Sequence, residues 1–306
     1  MQEFTASLVA PPAPIPEGEV ALAVTVSAQG QFGVLTTSKP ELARGHIRIA
    51  PHGNLMPFYE PQSCPAALLR FAAGQWHRTE LSHLPVSSPR IALLPDGELL
   101  VASVRIPWSD RGPQRRNAHV FGPDGAHRRA FALGDDIQQI VVDDEGAIWT
   151  THEEEGWPDA FGIVRWDVQG NRSWDSNTAC SDSALNPHGG VAWAYRWQGW
   201  LIRVFERVTY EYKSPVYEVL SLAFDGDHLL LAGAVMPDGD PDELSWCKNV
   251  GGVIQRHDAA RFLDPSGNPL EDWQILACYG SRIYFRDFGE GYFRVDIAEG
   301  GRHITD

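Results

Sequence analysis

The sequence predicts an all-β chain in which one four-stranded antiparallel sheet recurs six times, the arrangement of a six-bladed β-propeller. Three observations predict it. A strand, tight turn, strand unit repeats along the chain, the repeat averages about 50 residues, and helical periodicity is nearly absent.

The clearest copies of the unit are 91–101, 140–150 and 220–231. Asp96-Gly97, Glu145-Gly146 and Asp225-Gly226 supply the positive φ angles that a short hairpin connection demands, between apolar or β-branched runs of strand length. Weaker copies surround Gly30, Gly199 and Gly280, with strands at 22–26 and 33–37, 191–197 and 200–205, and 274–278 and 282–287. The six anchor glycines are separated by 67, 49, 53, 27 and 54 residues, against a blade period of about 40–50. Second hairpins complete the blades at 68–71 with 75–81, 118–121 with 127–133, 163–166 with 172–174, 261–263 with 270–273, and 292–297 with 303–305. The 27-residue interval is the misfit, and it leaves five blades with a large insertion as the alternative. Six is preferred because 219–234 follows the first-hairpin pattern. The best helical stretches, 65–73 and 257–263, are short and lie beside strand patterns. Residues 1–306 read as a single propeller domain with 1–18 as an extended N-terminal arm. Pro11, Pro12, Pro14 and Pro16 keep 11–16 extended, and 4–9 reads as an extra edge strand covering a blade.

Composition narrows the function classes. Eleven Trp, 13 Phe and 8 Tyr supply the apolar surface of a packed core, while 40 acidic against 25 basic residues give a net charge of −15. That field repels phosphate backbones and anionic lipid, so no nucleic-acid or membrane-surface partner is expected, and it attracts basic proteins or cationic ligands. Arg111, Arg115 and Arg116 form the one dense basic run and read as a solvated loop. Cys64, Cys180, Cys247 and Cys278 have no zinc-knuckle or disulfide-framework spacing and read as buried thiols. The acidic start and early prolines do not resemble a secretory signal, and no run of about 18 apolar residues occurs, so a cytoplasmic location is expected.

At this point 140–149, Ile-Val-Val-Asp-Asp-Glu-Gly-Ala-Ile-Trp, and 162–171, Gly-Ile-Val-Arg-Trp-Asp-Val-Gln-Gly-Asn, resemble the repeating units of the six-bladed β-propeller superfamily. The likeness is to its NHL-type, regulator-propeller and gluconolactonase-like members. It covers roughly 20–299 and speaks to fold. Among gluconolactonase-like enzymes it implies a single divalent cation, Ca²⁺ or Mg²⁺, held near the axis by Glu, Asn and Asp and able to polarise a lactone carbonyl. The corresponding stretches here, Asn186-Pro-His188-Gly-Gly-Val and 219–225, depart from that pattern. Asn186, His188 and Asp182 are the metal-ligand candidates the resemblance leaves, and a metal-dependent lactone or ester hydrolase or isomerase is the alternative function.

In a blade, the first-to-second and third-to-fourth connections leave one face, while second-to-third and blade-to-blade connections leave the other. The tight turns belong to the first set; the long segments 38–65, 106–117, 153–161, 177–189 and 236–251 belong to the second. Long loops on a rigid scaffold are where binding residues concentrate. This face would carry Trp108, Asp110, Glu153, Glu154, Glu155, Trp157, Asp159, Asp182, Asp240, Asp242 and Trp246. Rigid indoles among carboxylates suit a protein ligand rich in Arg and Lys, so the expected function is a non-catalytic protein- or ligand-binding propeller. The run Asp238-Gly-Asp240-Pro-Asp242-Glu243 offers hard oxygen donors, but Pro241 interrupts it and the twelfth position is Asn249, not Glu. No Gly-x-Ser-x-Gly, phosphate-loop or His-Glu-x-x-His motif is present, so the sequence assigns no catalytic residue.

Overall fold

The computed structural model describes residues 1–41, 46–48, 58–60, 63–105, 116–152, 162–176, 182–197, 199–233, 244–271, 273–287, 291–299 and 302–303. It is a six-bladed β-propeller in fold class, and its strands divide into two compact units, Ala13–Ala179 and Met1–Pro12 with Cys180–Asp306.

The chain opens with two short strands, β1 (Gln2–Thr5) and β2 (Ser7–Ala10). The Ala13–Ala179 unit holds three blades. Blade 1 comprises β3 (Val20–Val26) and β4 (Phe32–Thr37), then, after a small hairpin of β5 (His46–Arg48) and β6 (Phe58–Glu60), β7 (Cys64–Ala72) and β8 (Gln75–Leu84). Blade 2 is β9 (Pro89–Leu93), β10 (Leu99–Ser103), β11 (Ala118–Phe121) and β12 (His127–Phe131). Blade 3 is β13 (Ile137–Val142), β14 (Ile148–His152), β15 (Gly162–Trp166) and β16 (Arg172–Asp175). Each is an antiparallel meander in chain order.

The second unit holds the other three. Blade 4 is β17 (Asp182–His188), β18 (Val191–Arg196), β19 (Trp200–Phe205) and β20 (Val208–Lys213). Blade 5 is β21 (Ser221–Asp225), β22 (His228–Ala232), β23 (Leu244–Val250) and β24 (Val253–Leu263). Blade 6 is β25 (Trp273–Tyr279), β26 (Arg282–Asp287) and β27 (Gly291–Asp296), with β2 as its fourth strand. β1 lies parallel to β24, and the terminal pair β28 (Arg302–His303) lies antiparallel to β1. Both chain ends therefore build blades 5 and 6.

These sheets change three sequence expectations. Gly199 sits in the second-to-third turn of blade 4, whose first hairpin instead turns at Gly189-Gly190. Moving the anchor to Gly190 removes the 27-residue interval and with it the reason for a five-blade parsing. Segment 261–263 is the end of β24, whose hairpin partner is β23; Asp264 and Asn268 form the blade 5-to-6 link, joined to β24 by an isolated Leu263–Pro269 bridge. Strand β27 pairs with β2, and His303, the described residue of the 303–305 segment, lies in β28, against β1. The arm expected over 1–18 is thus two paired strands at its start, in line with the edge strand expected over 4–9. The helix-like stretches 65–73 and 257–263 are strand, because β7 and β24 each have neighbours on both sides.

The cores lie between neighbouring blades of a unit. Leu68, Leu81, Leu93, Leu99 and Phe121 fill the blade 1–2 interface, and Leu100, Val120, Leu133, Val142 and Trp166 fill that of blades 2 and 3. In the other unit Phe4, Phe262, Phe285 and Phe293 pack together, with Phe262 and Phe285 stacked 5.0 Å apart. Stacked and edge-on rings of this kind fill the wedge between blades. Tight turns are held by an aspartate at the first position: the Asp167 carboxylate accepts from the Gln169 and Asn171 amides at 2.8 and 2.9 Å, and Asp264 does the same for Ser266 and Asn268 at 2.8 Å each. Cys64, Cys247 and Cys278 are free and buried, and burial pushes the Cys247 and Cys278 thiols up to about 12, so they are inert core residues.

Candidate functional site

Strand order fixes which connections share an end of each blade. In blades 1, 2, 3 and 5 the second-to-third connections span 38–63, 104–117, 153–161 and 233–243, whereas the third-to-fourth turns are 73–74, 122–126, 167–171 and 251–252. Insertions thus leave the C-terminal end of the second strand in four blades. In blades 4 and 6 this connection is short, at 197–199 and 288–290.

The base of these connections is polar and buried. At the end of β4, Thr37 Oγ1 donates to Pro65 O at 2.5 Å and Thr36 Oγ1 to a Glu19 carboxylate oxygen at 2.7 Å. At the end of β10, Asn117 Nδ2 donates to Ser103 O and Gly134 O at 3.2 and 2.8 Å, while Asn117 Oδ1 accepts from Leu133 N at 2.9 Å. At the end of β14, His152 is fully buried. Its Nδ1 lies 2.7 Å from Asp135 O and its Nε2 2.7 Å from Thr150 Oγ1. A carbonyl only accepts, so Nδ1 carries the proton and Nε2 accepts from the threonine, whose oxygen in turn accepts from Trp166 Nε1 at 2.9 Å. This relay saturates the imidazole, and it serves to hold the strand end rather than to move protons.

Burial, partly offset by the hydrogen bond to Asp135 and reinforced by Arg172, lowers the His152 pKa to about 4. A folded-state value below the unfolded one means the unfolded chain takes up the proton first on acidification. The contribution is therefore intact above about pH 6.5 and lost as pH falls toward 4, amounting to about 3 kcal/mol. Urea midpoints measured between pH 7.5 and 4 should fall through this window. His152→Asn, which retains an N–H near the Nδ1 position, should flatten the slope by about one proton.

Blade entries carry a second regularity. Ser88, Asp136, Ala184 and Glu218 adopt φ of +46°, +56°, +52° and +54° at or near the start of the first strands of blades 2, 3, 4 and 5. L-residues adopt this left-handed conformation at a cost of about 1–2 kcal/mol. Its recurrence marks a turning device at the entries of these four blades. Asp136, fully buried, also pairs with Arg105 Nε at 3.2 Å. Of the four only Asp136 is of a type that tolerates this conformation, so no sequence signal common to them marks the device.

The sequence-predicted site residues are distributed as follows. Trp108, Asp110, Glu153, Glu154, Glu155, Trp157, Asp159, Asp240 and Asp242 lie outside the described residues, on the long second-to-third connections. Trp246 is not in a loop: β23 begins at Leu244, and Trp246 is half-buried, stacked on His228 at 5.2 Å and tilted against Phe4 at 5.4 Å. Its alternating strand pattern, 244–250, was the available signal, so Trp246 is a packing residue. Asp182 begins β17, opposite Arg196, whereas Asn186 and His188 lie near the other end of the strand, beside the Gly189-Gly190 turn. Asp182 and His188 pair with Arg196 and Val191, five strand residues or about 17 Å apart on β18, so these three do not converge on one ion. The Asn186 amide is already occupied: Nδ2 donates to Leu222 O at 3.0 Å and Gly280 O at 2.9 Å, and Oδ1 accepts from Gly280 N at 2.8 Å. His188 packs its ring against the Gly280 Cα. The donor set fits a clamp joining blades 4, 5 and 6, not the lactonase-type metal site.

No family model matches the chain, and no curated protein matches it. Solved structures similar to it include apo AztD from Citrobacter koseri, 13% identical over 87% of this chain and 80% of that one with a TM-score of 0.44. BamB from Moraxella catarrhalis is 12% identical, covering 97% and 99% at a TM-score of 0.42. A gluconolactonase from Xanthomonas campestris is 11% identical, covering 95% and 98% at a TM-score of 0.38. Among the described residues no helix is long and apolar enough to cross a membrane.

Proposed function

We propose that the chain is a non-catalytic binding propeller whose long-connection end takes a basic protein partner. The observation that carries the reading is the one-sided distribution of connection lengths within the blades: four second-to-third connections are long, and their third-to-fourth counterparts are turns of two to five residues. The sequence of those connections supplies the chemistry, with Trp108 and Trp157 as rigid anchors and Glu153, Glu154, Glu155, Asp159, Asp240 and Asp242 as carboxylates. The strand ends beneath them, at Thr37, Asn117 and His152, have their polar groups spent on internal hydrogen bonds, so they form a rigid base from which loops can be presented. The net charge of −15 adds long-range attraction for a cationic surface.

The test compares the wild-type chain with a variant carrying Glu153→Gln, Glu154→Gln, Glu155→Gln, Asp240→Asn and Asp242→Asn as baits in native lysate, with quantitative mass spectrometry. A basic protein enriched on the wild type, depleted about tenfold on the variant and released as salt rises, is expected. Enrichment indifferent to both the substitutions and the salt defeats the reading.

A further inference from the structure

Three histidines meet at the blade 1–2 junction: His83 in β8, His119 in β11 and His127 in β12, with the His119 ring also hydrogen-bonded to the Arg116 backbone. His119 and His127 are on paired strands, with a register shift between Val120 and Phe121 separating them. His119 Nδ1 lies 3.1 Å from His127 Nε2 with the rings 5.3 Å apart, and the His83 ring is 5.7 Å from that of His127. Phe121 flanks the cluster, its ring set edge-on to His127 at 5.5 Å and to His83 at 6.4 Å. His83 is exposed and its Nδ1 lies 3.3 Å from Ser82 Oγ, the neighbouring residue's hydroxyl, so its side chain has room to turn.

We propose that His119 and His127 form a chelating pair for a late first-row divalent ion, Cu²⁺ or Zn²⁺ in chemical class, with His83 as the third ligand. Two imidazole nitrogens about 2.0–2.1 Å from one such ion, at bond angles between square-planar and tetrahedral, lie about 2.9–3.3 Å from each other. The observed 3.1 Å spacing falls in that range without strand movement. Among the described residues no three His, Cys, Asp or Glu side chains already converge on one point. The ion would therefore take two nitrogens from the sheet and complete its shell with water and with His83 after a side-chain rotation. Burial and the neighbouring imidazoles lower the His119 pKa to about 4, and burial and His83 lower that of His127, so both rings are neutral and able to ligate at neutral pH. Besides the rotation of His83 and a tilt of the two rings toward the ion, binding needs the proton shared between His119 Nδ1 and His127 Nε2 to move, through solvent, to the other nitrogen of the ring that carries it, so no net proton is released. Among these ions the Cu²⁺ complex is the tightest.

The full chain is titrated with Cu²⁺ in a weakly coordinating buffer at pH 7.5, followed by calorimetry and by electron paramagnetic resonance. One ion per chain with nitrogen hyperfine structure is expected. His127→Gln should weaken binding at least about tenfold and His83→Ala severalfold, with Zn²⁺ competing at higher concentration. His77→Ala and His257→Ala, at exposed histidines on β8 and β24, should leave it unchanged. Circular dichroism melts of His127→Gln establish that the half-buried position tolerates the change; should they not, His83→Ala at an exposed position decides. Absence of stoichiometric binding, insensitivity to both His127→Gln and His83→Ala, or loss on His77→Ala or His257→Ala overturns the proposal.

Discussion

Asn186→Ala should lower the unfolding free energy by about 3–5 kcal/mol, read as a shift of the urea midpoint. Asn186 is fully buried, and its amide makes three hydrogen bonds, two of them as donor to Leu222 O and Gly280 O and one as acceptor from Gly280 N. Truncation leaves three backbone groups without these partners in a site too tight for bulk water, and stranded buried groups each cost about 1–3 kcal/mol. Asn186→Asp separates a structural clamp from a metal ligand. A carboxylate would improve a cation site, but here it replaces two donors with lone pairs facing two carbonyl oxygens. The aspartate variant should therefore be at least as damaging as the alanine, and added Ca²⁺ or Mg²⁺ should not rescue it. Stability restored to the aspartate variant by a divalent ion would return Asn186 to the list of ligands.

Gly125→Ala should cost about 3–5 kcal/mol, whereas Gly74→Ala should cost only about 1–2. Both glycines sit in third-to-fourth turns with nearly the same φ, +78° at Gly125 and +79° at Gly74. The left-handed conformation alone accounts for the smaller figure. They differ in surroundings: nothing lies within 4 Å of a methyl added at Gly74, while one added at Gly125 overlaps the Glu80 carbonyl of β8. That carbonyl is backbone, and Gly125 O accepts from Ser82 N at 3.1 Å, so turn and strand are tied at the point of overlap. Relief requires separating blade 2 from blade 1. Equal losses for the two variants would show that the junction yields and that packing between these blades is softer than its hydrogen bonding implies.

The repeat was legible because its turns use residues with few alternative uses. Asp96-Gly97, Glu145-Gly146 and Asp225-Gly226 each close a first hairpin, as their spacing implies. Where sequence and structure part, the cause is phase: Trp197 and Gly199 resemble a first hairpin as much as Gly189-Gly190 does, and periodicity does not say which of two hairpins opens a blade. The swap of strands at the chain ends was hidden for another reason. Arg261 pairs with Glu3 across 258 residues, and nothing local to 261–263 announces so distant a neighbour. The same holds for Asn186, whose role depends on Gly280, 94 residues away. Short-range chemistry is written in short-range patterns; a clamp among three sheets is not. The left-handed blade entries escaped because Ser88, Asp136, Ala184 and Glu218 have no shared side-chain chemistry.

The location of β1 and β2 bears on how the molecule is made. Among the described residues, β1 and β2 have no strand partners N-terminal to 253–263 and 291–296, so they wait for those segments to be synthesised. Up to that moment Phe4 and its neighbours leave the ribosome as an apolar ribbon with unpaired edges, while the three sheets of 13–179 can already close on one another. Slowing synthesis of the segment after residue 240 should prolong that interval, and nascent chains stalled there should recruit holdase chaperones through residues 1–10.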